Sequence, residues 1–398
     1  MASRAIPQAA PVAERFRLDP SIVYLNHGSF GACPIEVCDA QAGHRDRVEA
    51  DAVRFYVHDL WSLMDRSRRA LAPIAGCDGR DLVFVPNATT GVTTVLSNLD
   101  LRRGDEVLTT AHEYTACLNN ARSHAGRSGA SVVVADLSWP VPSEQTIYDN
   151  VMSRVTDRTR VALISLITSA TAVRLPVEQL IADLDDRGID TILDAAHGPG
   201  CVQLDIEEWG AAWTTGNCHK WLFAPKGAAF LRVRPDKQDG FRPMVLSNDA
   251  ERLDTASART RRPAWHHEFD YCGTDDATAK LAIADAAHFA ERLLPGGIHA
   301  LMQHNRAMCL RARDTVCDTL GVDAPVPDAM LGPMAAIELP ESAPDAQIVK
   351  NILYEDWRIQ IPVWDTPSGR TVTRLSAQVY NTDEQFVYLG EALKSIVA

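Results

Sequence analysis

Thr214-Thr215-Gly216-Asn217-Cys218-His219-Lys220-Trp221 sets a lysine directly after an apolar strand, among small, polar and hydrogen-bonding residues. A lysine usually lays its stem on the surface and keeps its ammonium in water. The neighbours of Lys220 are not a solvated charge run, so its amine needs another reason to stand there, and imine formation is one. Lys226, between Pro225 and Gly227, reads as a loop lysine. Upstream, Asp194 closes the apolar run Thr191-Ile192-Leu193. An aspartate ending a strand is often a cap or turn residue. Paired with Lys220, and followed by Ala195-Ala196-His197-Gly198, it reads better as the acid that keeps a cofactor's ring nitrogen protonated. An amine and an acid at neighbouring strand ends suit pyridoxal 5'-phosphate (PLP), which needs a Schiff-base partner and a pyridinium partner.

Working outward, strands alternate with helices. Ile22-Val23-Tyr24-Leu25 reads as a short strand before the turn-rich Asn26-His27-Gly28-Ser29-Phe30-Gly31, and Pro34 suits a first helical turn. Leu82-Val83-Phe84-Val85 reads as a buried strand that runs through Pro86-Asn87-Ala88-Thr89-Thr90-Gly91 into a helix. That arrangement leaves free N–H groups and hydroxyls at a positive helix end, a natural phosphate seat. Glu106 to Thr109, Val132 to Val134, Val161 to Ile167 and the Asp194 strand follow, with a helix opened by Pro176 before the last. The pattern predicts an α/β chain with a mainly parallel sheet covered on both faces. Functional residues of such sheets gather beyond the carboxyl ends of the strands. Thr89, Tyr114, Ser169, Asp194 and Lys220 all fall at such ends.

Beyond about residue 240 the texture changes. Arg252 to His267, polar and rich in arginine with Pro263, reads as a long loop. Asp275-Asp276 starts a helix reaching Leu293, a second helix follows from Ile298, and short strands lie at Met334 to Leu339, Arg358 to Ile361 and Val372 to Leu375. Thr382-Asp383-Glu384-Gln385 has capping-box form. The expected organisation is an N-terminal arm over residues 1–25, a large domain over 26–275 and a smaller α+β domain over 276–398.

Composition excludes several function classes. The 398 residues carry a net charge of −13, which argues against a nucleic-acid partner, since phosphate backbones need a basic face. No apolar run is long enough to span a bilayer and the N-terminus lacks a secretory pattern, so a cytoplasmic protein with no membrane partner is expected. Nine cysteines without C-x-x-C spacing read as reduced thiols. His112-Glu113-Tyr114 lacks the second histidine of H-E-x-x-H, since position 116 is Ala116, and the adjacent His266 and His267 point apart on any regular element; no metal site is expected. No P-loop or G-x-G-x-x-G motif occurs. Arg374, in Arg374-Leu375-Ser376-Ala377-Gln378, can present a fork to a substrate carboxylate.

Taken in order, Tyr24 to Gly31, Val85 to Val92, Gly104 to Val107, Asp194 to Gly200, Thr215 to Trp221 and Arg374 to Asn381 resemble the isopenicillin N epimerase-like group of the class V aminotransferase superfamily. The resemblance implies the fold-type I PLP-dependent transferase fold and a homodimer with shared active sites. It implies that Lys220 forms the Schiff base, that Asp194 and Tyr114 meet the cofactor ring, and that Ser169 and His197 lie at the cofactor. Thr89, Thr90, Asn217 and His219 would hold the phosphate, with Thr274 reaching it from the other subunit. Arg374 would bind the substrate carboxylate, and Asn26, His27, Gly28 and Ser29 would line the pocket. Ser165-Leu166 stands where relatives usually carry Asp-His, and Asp275 where they usually carry arginine. The resemblance implies chemistry at Cα of an amino acid. The leading expectation is β-elimination from a cysteine-derived conjugate in specialised, antibiotic-type metabolism. The alternatives are epimerisation, decarboxylation-coupled oxidative deamination, or a regulatory PLP-binding protein. A persulfide-forming desulfurase needs a nucleophilic cysteine on a C-terminal loop, and no cysteine follows Cys317.

Overall fold

The computed structural model describes residues 5–247, 262–366 and 369–398. Twelve strands are described: β1 (Val23–Tyr24), β2 (Leu82–Val85), β3 (Glu106–Thr110), β4 (Ser131–Ala135), β5 (Thr159–Ser165), β6 (Asp190–Asp194), β7 (Trp213–Asn217), β8 (Ala229–Val233), β9 (Met334–Glu338), β10 (Ile359–Gln360), β11 (Val363–Asp365) and β12 (Thr371–Ser376). Seven form the central sheet in the order β2-β8-β7-β6-β5-β3-β4. Strands β7, β6, β5, β3 and β4 pair in parallel, and β8 pairs antiparallel with both β7 and β2. Strand β2 therefore runs in the same direction as β7, and six strands (β2, β3, β4, β5, β6, β7) deliver the residues that follow them to one edge.

The near-continuous apolar runs of these strands have a physical cause. Both faces of the sheet are covered, so alternate side chains enter two cores. Val83, Val107, Leu163, Ile192 and Leu231 pack on one side with Val92, Val95 and Ala121 of the helices Ala88–Asn98 and Thr115–Ser128. Phe84, Leu108, Ile164, Leu193 and Phe230 pack on the other, in a core that continues through the helices Leu60–Ala75 and Ile283–Leu293 to the C-terminal elements. There β11, β12 and β9 form an antiparallel sheet, against which the helix Gly297–Leu320 packs.

Several local expectations change. The helix Ala264–Asp270 replaces the second part of the expected loop; Arg252 to Arg261 lie outside the described residues. Its polarity misled because the polar groups are partnered inside: Asp270 takes Arg68 and Arg262, and His266 Nε2 meets the Arg80 carbonyl at 2.8 Å. The helix expected from Asp275-Asp276 is split into Thr278–Leu281 and Ile283–Leu293. Thr382 does not cap the final helix, Asp383–Val397; its hydroxyl donates to the Gln8 carbonyl at 3.2 Å instead. Strand β11 was not foreseen. Strand β1 pairs in parallel with β10, which ties the start of the chain to its C-terminal part.

Candidate active site

A cavity of about 580 Å³ opens at the carboxyl edge of the central sheet. Its walls include Gly28, Ser29, Thr89, Thr90, Tyr114, Ser165, Ser169, Asp194, His197, Asn217, His219, Lys220 and Arg374. Strand register explains the convergence. Ser165 and Asp194 are paired last residues of β5 and β6, Asp194 pairs with Thr215 on β7, and Lys220 follows three residues after β7 ends.

Lys220 lies deep in this cavity, with Nζ 3.2 Å from Nε2 of His197. Burial, and then the charge of Arg374, lower its pKa from 10.5 to about 8. Behind it, Trp221 Nε1–H donates to His197 Nδ1 at 3.2 Å. An indole only donates, so Nδ1 is the bare nitrogen and Nε2 carries the imidazole proton. That N–H points at Lys220 Nζ, which then accepts as a neutral amine.

Asp194 is buried. Its carboxylate takes the Ala196 N–H at 2.8 Å and the Cys117 thiol at 3.3 Å, and burial raises its pKa. On the opposite flank, Asn87 Oδ1 takes the Thr90 N–H at 2.8 Å, and Asn217 Oδ1 takes the Ala88 N–H at 2.9 Å. Asn87 caps the helix Ala88–Asn98, and Asn217 fastens the N-terminus of that helix to the end of β7. Gly91 permits the approach, since a Cβ there would fall on the Thr215 side chain. His219 Nδ1 bonds the Ala228 carbonyl at 3.1 Å, which leaves Nε2 for a ligand.

Arg374 reaches in from β12. It donates to the Ser169 carbonyl and, at 3.1 Å, to Ser29 Oγ, while its buried Nε has no partner. Ser29 Oγ in turn donates to Asn26 Oδ1 at 2.5 Å. Asn26 and His27 themselves stand behind the cavity wall. His27 is fully buried, with Nδ1 2.8 Å from Tyr380 Oη and Nε2 3.0 Å from the Lys220 carbonyl. Thr274 is exposed, bonds Tyr271 at 3.0 Å and lies outside this chain's cavity wall. Asp275 pairs with Lys280 at 3.2 Å.

Sequence reasoning passed over Glu113. It is buried beside Asp194, with both carboxyl oxygens 3.0 Å from Ser165 Oγ. Its one visible signal was its place beside Tyr114 at the end of a strand.

The chain matches aminotransferase class-V over residues 32–387 and belongs to that family. It is 28% identical to a putative L-cysteine desulfhydrase 1 of Oryza sativa subsp. japonica, across 99% of this chain and 87% of that protein. It is 31% identical to isopenicillin N epimerase of Streptomyces clavuligerus, across 96% of each. Among solved structures, a C-DES mutant with glycine covalently linked to the PLP cofactor superposes with a TM-score of 0.80 at 18% identity, over 97% of this chain and 100% of that one. The fold is the fold-type I PLP-dependent fold, and PLP is the cofactor. The cavity fits it: one amine, one buried carboxylate, a helix N-terminus with two threonines, and an arginine on its wall. Among the described residues, no helix is long and apolar enough to cross a membrane.

Proposed function

We propose that this chain catalyses β-elimination from a cysteine-derived amino acid, cleaving the Cβ–S bond. The reading rests on Lys220, the one amine among the described residues lining the cavity, set across from Arg374. Similarity to L-cysteine desulfhydrases along nearly the whole chain supports the choice of bond.

When bound, PLP supplies the electron sink that weakens the bonds at substrate Cα. In our reading Lys220 holds the cofactor's aldehyde carbon, Asp194 its ring nitrogen, and Thr89, Thr90, Asn217 and His219 its phosphate. Tyr114 would cover the ring, Ser169 would meet the phenolic oxygen, and His197 would stand beside the Lys220 amine. Arg374, aimed by Ser29, takes the substrate carboxylate as a two-pronged donor and fixes the orientation of Cα. Lys220 Nζ would take the proton from substrate Cα. The sulfur leaves with the electron pair of the Cβ–S bond and takes a proton from the Lys220 ammonium. Hydrolysis of the enamine product then gives pyruvate and ammonia beside the free thiol. Asn26 and His27 hold the wall from behind. We further propose a cytoplasmic homodimer in which Thr274 serves the partner's cavity.

A second reading, epimerisation at Cα, draws on the 31% identity to isopenicillin N epimerase. It needs an acid on the opposite face, and Tyr114, 46% exposed on the cavity wall, is the candidate. Incubation with S-alkyl cysteines in deuterated water decides between them. Pyruvate and free thiol support elimination. Deuterium at an inverted Cα, without pyruvate, overturns it in favour of epimerisation, and carbon dioxide with oxygen uptake overturns both.

A further inference from the structure

The Glu113 carboxyl has no evident place in the chemistry above, yet it lies against the group assigned to the ring nitrogen. Its oxygen, the Cys117 sulfur and an Asp194 oxygen lie within 4.8 Å of one another, all three residues buried. Cys117 donates its S–H to Asp194, so the sulfur is a thiol and not a thiolate ligand. Among the described residues no cationic side chain pairs with Glu113; its neighbours are the Tyr114 N–H at 2.9 Å and the Ser165 hydroxyl. Two buried carboxyls this close do not both ionise. The asymmetry decides which one keeps the charge. Asp194 lines the cavity, where the assignment above sets a cationic ring nitrogen against it, and it takes the Ala196 N–H and the Cys117 thiol. Glu113 has no cation, and burial followed by the charge of Asp194 raises its pKa to about 8.

We propose that Glu113 is a positioning residue that stays protonated beside Asp194, so that the pair's single negative charge sits on Asp194 where it faces the ring nitrogen. The inference rests on the assignment of Asp194 to that nitrogen. A neutral Glu113 adds no second charge to over-stabilise the pyridinium. Through Ser165, which lines the cavity, it also ties the segment after β3 to the end of β5.

Two measurements on the PLP-loaded protein test this. With 13C-carboxyl-labelled glutamate, infrared spectra of wild type at about pH 6 should contain a protonated carboxyl band that Glu113→Gln loses. Absence of that band, with Glu113 appearing as carboxylate, overturns the proposal. With PLP labelled by 15N in the ring, Glu113→Gln should keep the pyridinium chemical shift, because the amide imitates a neutral acid, while Asp194→Asn should move it toward neutral pyridine. An equal move in Glu113→Gln overturns the proposal. No move in Asp194→Asn refutes the Asp194 assignment instead, and the infrared result stands apart from it. Should Glu113→Gln fail to fold, the infrared band of wild type, lost as pH rises through about 8, carries the test alone.

Discussion

Trp221 donates its indole N–H to one nitrogen of His197, and the other nitrogen of that ring lies 3.2 Å from Lys220 Nζ. The cation-forming residue thus has its hydrogen-bond state set by an aromatic side chain next to it in sequence but behind it in space. Nitrogen-detected NMR of His197 should show the Nε2–H tautomer; an Nδ1–H tautomer would contradict the chain of bonds. Trp221→Phe leaves Nδ1 buried without a donor and should cost about 1–3 kcal/mol in denaturant unfolding.

Lys220 and Glu113 should pull stability in opposite directions with pH. Lys220 is held near 8 against an ordinary 10.5, so between those values the unfolded chain binds a proton that the folded chain does not, and stability rises with pH. Glu113 is raised from 4.5 to about 8, so the folded chain keeps a proton that the unfolded chain has lost, and stability falls across that window. Urea midpoints of cofactor-free protein against pH should lose the rise in Lys220→Met and the fall in Glu113→Gln. Unchanged profiles in both variants would refute these shifts.

Removing the Arg374 guanidinium should penalise substrates by their carboxylate. Arg374→Ala should lower kcat/KM for the amino acid by roughly 2–5 kcal/mol in free energy, the usual cost of truncating one side of a buried charge pair. The loss should be much smaller for the corresponding amino-acid amide. Arg374→Lys keeps charge but not the fork and should recover only part. Equal losses for acid and amide would remove Arg374 from carboxylate recognition.

Gly31 is a second place where the lysine strand-end is set from outside its own sheet. Its φ is +69°, and a Cβ there would lie 2.7 Å from the Lys220 carbonyl oxygen and 3.0 Å from Lys220 Cα. Gly31→Ala combines a backbone conformation that alanine avoids with overpacking, and should cost about 1–3 kcal/mol or more. It should also weaken PLP retention, measured as release on dilution; full retention would show that Lys220 tolerates the displacement.

Much of this was legible in the chain. Lys220, Asp194, Ser169, Tyr114 and the Thr89-Thr90 pair follow apolar runs, and parallel strands bring such positions to one edge whatever their spacing. Arg374 was legible for another reason, an arginine on a core strand whose fork suits a carboxylate. Asn26 and His27 were harder. Sequence adjacency groups them with Gly28 and Ser29, but the one-turn helix His27–Phe30 turns His27 inward to Tyr380 and the Lys220 carbonyl. Glu113 was hidden because its partners Ser165 and Asp194 are distant in sequence, and a partial metal motif was the nearer explanation. The Ala264–Asp270 helix was hidden because its polar groups are satisfied by Arg68, Arg262 and Arg80 from other segments.

Strand β1 pairs with β10, and the Leu25 carbonyl takes the Ser376 N–H at 3.0 Å. Ser29 and Arg374, 345 residues apart, therefore ride on one piece of framework, while Lys220 and Asp194 ride on another. Substrate reach is set by how those two pieces are spaced, not by either residue alone. Replacements at positions 29 and 374 should then be strongly non-additive, and a library aimed at new substrates gains more by varying both together than by scanning each in turn.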